Sequence, residues 1–388
     1  MTGCNGQTKT NTSTLQTTTQ KNKLVGGGCD GCEIMYVGMP TNISAVDTSA
    51  GWKEQGQKIL VTGVTYKIDG KTPVPNVIIY YWQTDNNGYY SPENGMDGNA
   101  KRHGHIRGWV KTDENGKYSI YTIKPAPYPN DNIPAHIHTS IKEPNIDNEY
   151  YIDEFVFDND KLLTGTKRKA LENRGGSGIL RVLNSNNLQI AEHNIILGLN
   201  IPNYPTAQKI EKQSGLQIGE NNPSFIPYHA FGPDKGTRTC PVCKYGRYHG
   251  IIYFVGNNPN WEEIKKWLTF LEQESITRSK YLKAYFVYGN EKKYNKIQRE
   301  KELERIGREL QLKNIALTFV PSMTDTESEV NLNKINPIVE NTFVIYRHRT
   351  IIDKLIDLKP SADNFKIISN TLDKTKSEYF NLSEQKHD

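Results

Sequence analysis

Residues 109–121 read WVKTDENGKYSIY, and this short stretch indicates the fold of the first half of the chain. Asn115-Gly116 lies between two β-type runs, and an Asn-Gly pair in that position favours a β-hairpin. Similar runs rich in Val, Ile and Tyr occur on both sides, at 59–66, 77–82, 135–141, 150–157, 179–183 and 188–199. Because the runs are short and closely spaced, they predict a β-sandwich or a β-barrel, with one short helix at 166–174.

From about residue 215 the pattern changes to alternating strands and helices. Residues 250–255 form a buried-strand run, and 261–275 carry apolar residues at helical spacing. A charged amphipathic helix is predicted at 300–312, and further strands at 282–288, 315–320, 342–346 and 351–358. Such alternation indicates an α/β domain. We therefore predict a β-domain at 24–205, a linker at 206–222 and an α/β domain at 223–388.

Length and composition limit the classes of protein to which the chain can belong. Its 388 residues correspond to two or three domains. Lys and Arg number 48 and Asp and Glu 43, so the net charge of +5 carries no strong field that would imply a nucleic-acid partner. No apolar stretch approaches the ~18 residues that a membrane-spanning helix needs.

The N-terminal 23 residues form a polar tract that predicts a flexible tether. Residues 5–23 are rich in Thr, Gln, Asn and Lys and have no hydrophobic period. The preceding Thr2-Gly3-Cys4 resembles the end of a bacterial lipobox, which implies that Cys4 is lipidated after cleavage of a signal peptide. The alternative is a free cysteine near a disordered start. The lipobox resemblance predicts an exported protein held at the cell envelope by a lipid anchor.

His136-Ile137-His138 is the first candidate for chemistry. Residues i and i+2 of a strand point to the same face, so both imidazoles can bind one ion, although most such pairs bind none. Tyr128 lies eight residues upstream, and Tyr90 follows the strand-like run that ends at Trp82. Phenolate is a hard donor and imidazole a borderline one, a combination that suits trivalent iron.

Several further motifs make the first domain recognisable. It resembles the intradiol ring-cleavage dioxygenases, non-haem iron(III) enzymes that split catechols between their two hydroxyl groups. The matching region runs from about residue 61 to 160, and the motifs occur in the family's order and spacing. They are PVPN at 73–76, WQ at 82–83, RG at 107–108, TDENGKY at 112–118, TIKP at 122–125, PAHIH at 134–138 and FVF at 155–157.

The resemblance implies a ligand set for Fe(III) and a role for one ligand. Tyr90, Tyr128, His136 and His138 take the positions of the family's iron ligands, and Tyr89 is the nearest rival to Tyr90. In the family, the tyrosine at the position of Tyr128 leaves the iron when the catecholate binds and can accept a substrate proton. The alternative is that these side chains only pack the sandwich.

Two positions depart from the family pattern. The family usually has an Arg three residues before the first histidine, where this chain has Ile133, and often a Gln before the Phe-x-Phe strand, where it has Glu154. Losing a cation and gaining a carboxylate near a developing anion opposes electrostatic stabilisation of that anion. Arg102 or Arg107 could compensate.

A second pair, His103 and His105, lies in an insertion rich in Gly and Asn. It could form a rival metal site or recognise an acidic substrate. We expect both residues to be exposed loop histidines.

The C-terminal domain resembles the thioredoxin-like superfamily over roughly residues 215–360. Its Cys240-Pro241-Val242-Cys243 motif precedes the strand at 250–255, whereas the family's Cys-x-x-Cys follows that strand and opens a helix. Because of this position, we expect the pair to lack the helix N-terminus that activates a thioredoxin thiolate, and we therefore expect a mainly structural disulfide.

A second Cys-x-x-Cys pair, Cys29 and Cys32, lies in a Gly-rich stretch. A joint zinc site of both pairs would have to span about 200 residues, far more than usual zinc loops. Two local disulfides or two redox-active pairs are the simpler interpretations in an exported protein.

The predicted function is intradiol cleavage of a small aromatic diol with O2. Two alternatives remain: a catalytically degenerate metal- or ligand-binding module of the envelope, and a thiol–disulfide redox protein acting through the C-terminal domain. The membrane is expected as a partner only through the lipid anchor. The sequence predicts neither the identity of the substrate nor the oligomeric state.

Overall fold

The structure is a computed structural model that describes residues 24–205, 213–292 and 294–384. The predicted tether with Cys4 and residues 206–212 of the predicted linker lie outside these ranges. Among the described residues, no helix is long and apolar enough to cross a membrane.

The first half of the chain consists of short strands, one short helix and several 3₁₀ turns. The elements are β1 (Val46–Thr48), β2 (Lys58–Tyr66), β3 (Ile78–Gln83), β4 (Arg107–Lys111), β5 (Lys117–Ile123), β6 (His136–Lys142), β7 (Tyr150–Tyr151), β8 (Phe155–Phe157), α1 (Gly165–Ala170), β9 (Ile179–Leu180), β10 (Val182–Ser185), β11 (Leu188–Glu192) and β12 (Ile195–Ile196). The predicted short helix at 166–174 corresponds to α1, which Thr164 caps by accepting the N–H of Lys167.

These strands form two mixed sheets that pack face to face. One sheet has the order β1-β5-β2-β11-β10, with β12 beside β2, and the other has the order β4-β3-β6-β8-β9, with β7 beside β6. Alternate residues of both sheets, such as Ile59 and Val61 of β2 and Ile79 and Tyr81 of β3, fill one core. The region is therefore a β-sandwich.

The predicted hairpin at 109–121 is wrong in its pairing. Asn115-Gly116 does form a turn, and the Asp113 carboxylate accepts the N–H groups of Asn115 and Lys117. However, β4 pairs with β3 while β5 pairs with β2, so the turn carries the chain from one sheet to the other. Strand β5 cannot pair with β4 because β1 and β2 pair with its two edges.

The second half combines one sheet with helices. Its elements are β13 (Tyr228–Phe231), α2 (Pro241–Tyr245), β14 (His249–Val255), α3 (Trp261–Thr277), β15 (Leu282–Tyr288), α4 (Lys296–Glu309), β16 (Ala316–Phe319), β17 (Thr342–Arg347), β18 (Thr350–Ile356), α5 (Ala362–Lys374) and β19 (Ser383–Glu384). The sheet order is β13-β16-β15-β14-β17-β18, in which β14, β15 and β16 are parallel. The predicted alternation of strands and helices is present.

The three longer helices cover one face of this sheet. Trp267 of α3, Leu303 of α4 and Ile368 of α5 share a core with the sheet residues Tyr253 and Phe343. The opposite face packs against chain segments that include Phe225 and Met323. The last strand, β19, leaves this unit and pairs with β10 of the sandwich, which the sequence did not indicate.

A buried charged cluster joins the two halves near β8. The Asp158 carboxylate, directly after β8, contacts Arg168 (2.5 Å), Arg181 (2.9 Å) and, from the second half, Arg349 (3.7 Å). Burial alone would raise the pKa of Asp158, but the three guanidinium groups outweigh it and lower the pKa to about 2. The cluster therefore links the second half to a strand of the sandwich.

Candidate metal centre

The two predicted histidines lie on a central strand of the sandwich. Strand β6 lies between β3 and β8, and Ile137 faces the core while His136 and His138 face the other side of the sheet. This arrangement follows from the two-residue period of a strand. The same-face expectation for the pair holds in the structure.

The two tyrosines come from loops that the fold brings to this face. Tyr90 lies in the loop after β3, where the Asp85 carboxylate accepts the N–H groups of Asn87 (2.8 Å) and Tyr89 (3.1 Å). The side chain of Tyr89 is exposed, whereas Tyr90 turns towards the histidines. Tyr128 lies in the loop after β5, and its hydroxyl also reaches the site.

Four donor atoms meet in a closed ring. Tyr90 Oη is 2.7 Å from Tyr128 Oη, which is 3.1 Å from His136 Nε2. His136 Nε2 is 3.1 Å from His138 Nε2, and His138 Nε2 is 2.8 Å from Tyr90 Oη. Two oxygens and two nitrogens therefore surround one point.

The hydrogen bonds of the two Nδ1 atoms determine whether the Nε2 atoms, which face the ring, can bind a metal ion. His136 Nδ1–H donates to the carbonyl of Pro134 (2.7 Å), and His138 Nδ1–H donates to the Glu154 carboxylate (2.8 Å). In the neutral rings, both Nε2 atoms then carry lone pairs that face each other. A cation between them removes this repulsion, so the donor set fits a metal ion, and two phenolates with two imidazoles fit Fe(III).

The surroundings of the two phenols favour their protonated forms. Burial, the hydrogen bond to Tyr128 and the nearby charge of Glu154 raise the pKa of Tyr90 strongly. Burial also raises the pKa of Tyr128, although the hydrogen bond to Tyr90 opposes this effect. Burial and the proximity of His138 lower the pKa of His136, which favours its neutral, ligating form.

Glu154 lies against His138, a contact that the sequence did not indicate. His136, His138 and Glu154 form a group of potential ligands, but the Glu154 oxygen that contacts His138 meets its outer nitrogen, Nδ1. Burial would raise the pKa of Glu154, whereas the hydrogen bond from His138 and the proximity of that imidazole outweigh burial and lower the pKa. The carboxylate thus contacts a predicted ligand, and the expectation that it opposes stabilisation of a substrate anion stays a prediction.

The sequence also indicated three further residues near the site, namely Ile133, Arg102 and Arg107. Ile133 is exposed. Arg102 pairs with Asp30 at the surface (3.3 Å), and Arg107 donates to the carbonyl of Val37 (2.9 Å). Neither arginine is in hydrogen-bond contact with the four donors.

His103 and His105 do not share a site, and the expectation that both are exposed is wrong. His103 is buried, stacks on Trp82 with ring centroids 4.1 Å apart, and contacts the Tyr80 hydroxyl through Nδ1 (2.9 Å). Burial lowers the pKa of His103 to about 3. The two ring nitrogens of His105 contact Glu54 and the carbonyl of Ser91.

The N-terminal segment forms a wall next to the site, a feature that the sequence did not indicate. Cys29 and Cys32 are joined in a disulfide, and the buried Cys32 sulfur accepts a hydrogen bond from Ser140 of β6 (3.1 Å). A cavity of about 330 Å³ lies between this segment and His138, and Trp82 and Glu154 also line it. Trp82 stacks on the His138 ring, so it links this wall to a predicted ligand.

The second Cys-x-x-Cys pair lies far along the chain in the other half. Cys240 and Cys243 form a disulfide, and Cys240 caps the five-residue helix α2 by accepting the N–H of Cys243 at Sγ (3.0 Å). The expectation that this pair lacks a helix start was therefore wrong. Cys243 is exposed.

Comparison with known proteins gives a family match within the sandwich. Residues 37–175, about a third of the chain, match the model of a family described as "Dioxygenase". Catechol 1,2-dioxygenase of Acinetobacter baylyi is 30% identical over 122 residues, which cover 27% of this chain and 38% of the relative. The match thus spans less than half of that protein's length.

Solved structures with similarity to the chain include further dioxygenases. Hydroxyquinol 1,2-dioxygenase from Pseudomonas putida is 20% identical, with a TM-score of 0.31 and coverage of 41% of this chain and 61% of that one. An intradiol ring-cleavage dioxygenase from Tetranychus urticae is 18% identical, with a TM-score of 0.28 and coverage of 41% and 88%. The family match over residues 37–175 confirms the predicted intradiol dioxygenase-like domain and extends beyond the region 61–160 in which its motifs lie.

Proposed function

We propose that the sandwich is a non-haem iron(III) dioxygenase that cleaves a catechol-type substrate between its two hydroxyl groups with O2. The observation that carries this proposal is the closed ring of two phenol oxygens and two imidazole nitrogens, with successive distances of 2.7–3.1 Å. The family match to residues 37–175 supports it.

The residues of the ring would have distinct tasks. Tyr90, His136 and His138 would hold the ion, because strand β6 and the anchored loop after β3 fix their positions. Bound Fe(III) would supply Lewis acidity towards a catecholate. Tyr128 lies on a loop, and as the phenolate that a bound cation would favour it could take a proton from a catechol hydroxyl, becoming the neutral phenol as it leaves the ring.

The test combines metal binding with turnover. Purified protein loaded with Fe(III) should show a visible tyrosinate-to-iron charge-transfer band and should consume O2 when catechol is added. His138→Ala should abolish tight binding, whereas His105→Ala, which removes a histidine outside the ring, should leave the band unchanged. A protein that stays colourless with iron, or that binds only zinc, contradicts the proposal. Iron binding without turnover favours the degenerate binding module instead.

We propose that the second half is a thioredoxin-like domain. We also propose a second candidate function, in which this domain acts as a thiol–disulfide redox unit. The exposed Cys243 favours this function, because an accessible disulfide sulfur can be attacked by a partner thiolate. The helix cap on Cys240 supports it, since an N–H donor stabilises a thiolate. Catalysed reduction of insulin by the full chain tests this candidate, and a rate equal to that of a Cys240→Ser variant contradicts it.

We also propose that the protein is exported and held at the bacterial cell envelope by a lipid on Cys4. The support is the Thr-Gly-Cys motif and the polar tract after it. Mass spectrometry of the protein from its native membrane fraction should detect diacylglyceryl-modified Cys4, and an unmodified Cys4 contradicts the proposal.

A further inference from the structure

We propose that Glu154 is a positioning residue that makes His138 the stronger of the two imidazole donors by holding a negative charge at its Nδ1. The inference rests on the proposed iron site. It assigns a role to the residue that departs from the family pattern.

The strand register brings Glu154 to His138. Strand β8 runs antiparallel to β6, with Val156 opposite His136 and Phe155 opposite Ile137. Glu154 is the next residue along and lies beside His138, where its Oε1 is 2.8 Å from Nδ1. Within the described part of the chain, His138 is the basic group in ion-pair contact with this carboxylate.

The two histidines therefore have unequal partners. His136 donates Nδ1–H to the neutral carbonyl of Pro134, whereas His138 donates to a carboxylate. A carboxylate at the outer nitrogen fixes the tautomer and raises the basicity of the inner nitrogen more than a carbonyl does. The stacked Trp82 ring, 4.8 Å from the His138 ring, holds the imidazole in the orientation that Glu154 requires.

The expected consequence is a more electron-rich ferric ion. Stronger donation from His138 stabilises Fe(III) relative to Fe(II) and raises the energy of the charge transfer from tyrosinate. The carboxylate would thus act on the metal through His138 and not on the substrate directly.

The test compares variants with matched chemistry. Glu154→Gln keeps a hydrogen-bond acceptor at Nδ1 and removes the charge. Glu114→Gln makes the same change at an exposed residue of the turn between β4 and β5. In Glu154→Gln loaded with Fe(III), the tyrosinate band should move to longer wavelength and the Fe(III)/Fe(II) potential should rise. Glu114→Gln should match the wild type in both measurements.

A third variant tests whether Glu154 positions the His138 imidazole. Glu154→Leu removes the acceptor as well as the charge, and iron affinity should fall at least about tenfold, the usual cost of losing a partner of a ligating histidine. If Glu154→Gln keeps both the band and the potential of the wild type, the inference is overturned. If the wild type itself shows no tyrosinate band, the proposed iron site fails instead, so the two failures are distinguishable.

Discussion

Replacing Asp158 by Asn should destabilise the protein in a pH-dependent way. Asn has almost the same shape, so the change removes one buried negative charge and leaves the three surrounding guanidinium groups without their shared counter-ion. The side chain is only 6% exposed, so water cannot replace the lost interaction.

The structure gives the magnitude. Lowering the pKa of Asp158 from 3.8 to about 2 corresponds to about 2 kcal/mol of stability at neutral pH. Breaking a buried pair typically costs more, about 3–5 kcal/mol, so we expect a loss of about 3 kcal/mol for Asp158→Asn at pH 7. Because the folded-state pKa is lower than that of the unfolded chain, this stability is present above about pH 4 and is lost as the pH falls towards 2. The difference between variant and wild type should therefore shrink by about 1 kcal/mol between pH 7 and pH 3.

Urea unfolding followed by tryptophan fluorescence provides the assay, since both halves of the chain contain tryptophan. Glu329→Gln is the control, because it breaks the exposed ion pair between Lys169 and Glu329 and should cost less than about 1 kcal/mol. A loss below about 1 kcal/mol for Asp158→Asn at pH 7 would refute the argument. A loss that stays constant between pH 7 and pH 3 would refute the pKa argument in particular.

Two further predictions concern the iron ring and the second disulfide. Tyr128→Phe should shift the charge-transfer band of iron-loaded protein because one phenolate is lost. Tyr89→Phe should not shift it, since the Tyr89 side chain is exposed. Equal spectra for the two variants would contradict the role of Tyr128. The disulfide of Cys240 and Cys243 should be reducible by mild thiol treatment, because Cys243 is exposed and the N–H of Cys243 stabilises the Cys240 sulfur. A redox titration that finds a potential below about −300 mV would instead indicate a purely structural bond.

The candidate site was accessible from sequence because its geometry is largely local. A two-residue period is enough to put His136 and His138 on one face, and the family spacing indicated Tyr90 and Tyr128. The structure brings all four together. The choice between Tyr89 and Tyr90 needed the loop itself, in which the Asp85 carboxylate binds the backbone before the tyrosine turns inward.

Sheet pairing was less accessible, as the segment 109–121 illustrates. The Asn-Gly turn is local and was predicted, but the partners of the flanking strands are set by β1 and β3, which are distant in sequence. The same limit applies to β19, whose pairing with β10 joins the end of the chain to the sandwich. Turn chemistry thus fixes where the chain bends but not which strands then pair.

The partner of Glu154 was inaccessible from sequence for this same reason. From sequence, a carboxylate in place of a Gln was an unfavourable charge near a substrate, because its partner could not be known. The register of β8 on β6 supplies that partner, His138, and turns the departure into a property of the proposed metal site. Asp158, four residues further on, connects the same strand to Arg349 in the second half of the chain. The short strand β8 is therefore where the proposed metal centre and the contact between the two halves meet, so a change at either end of it should be tested for effects at the other.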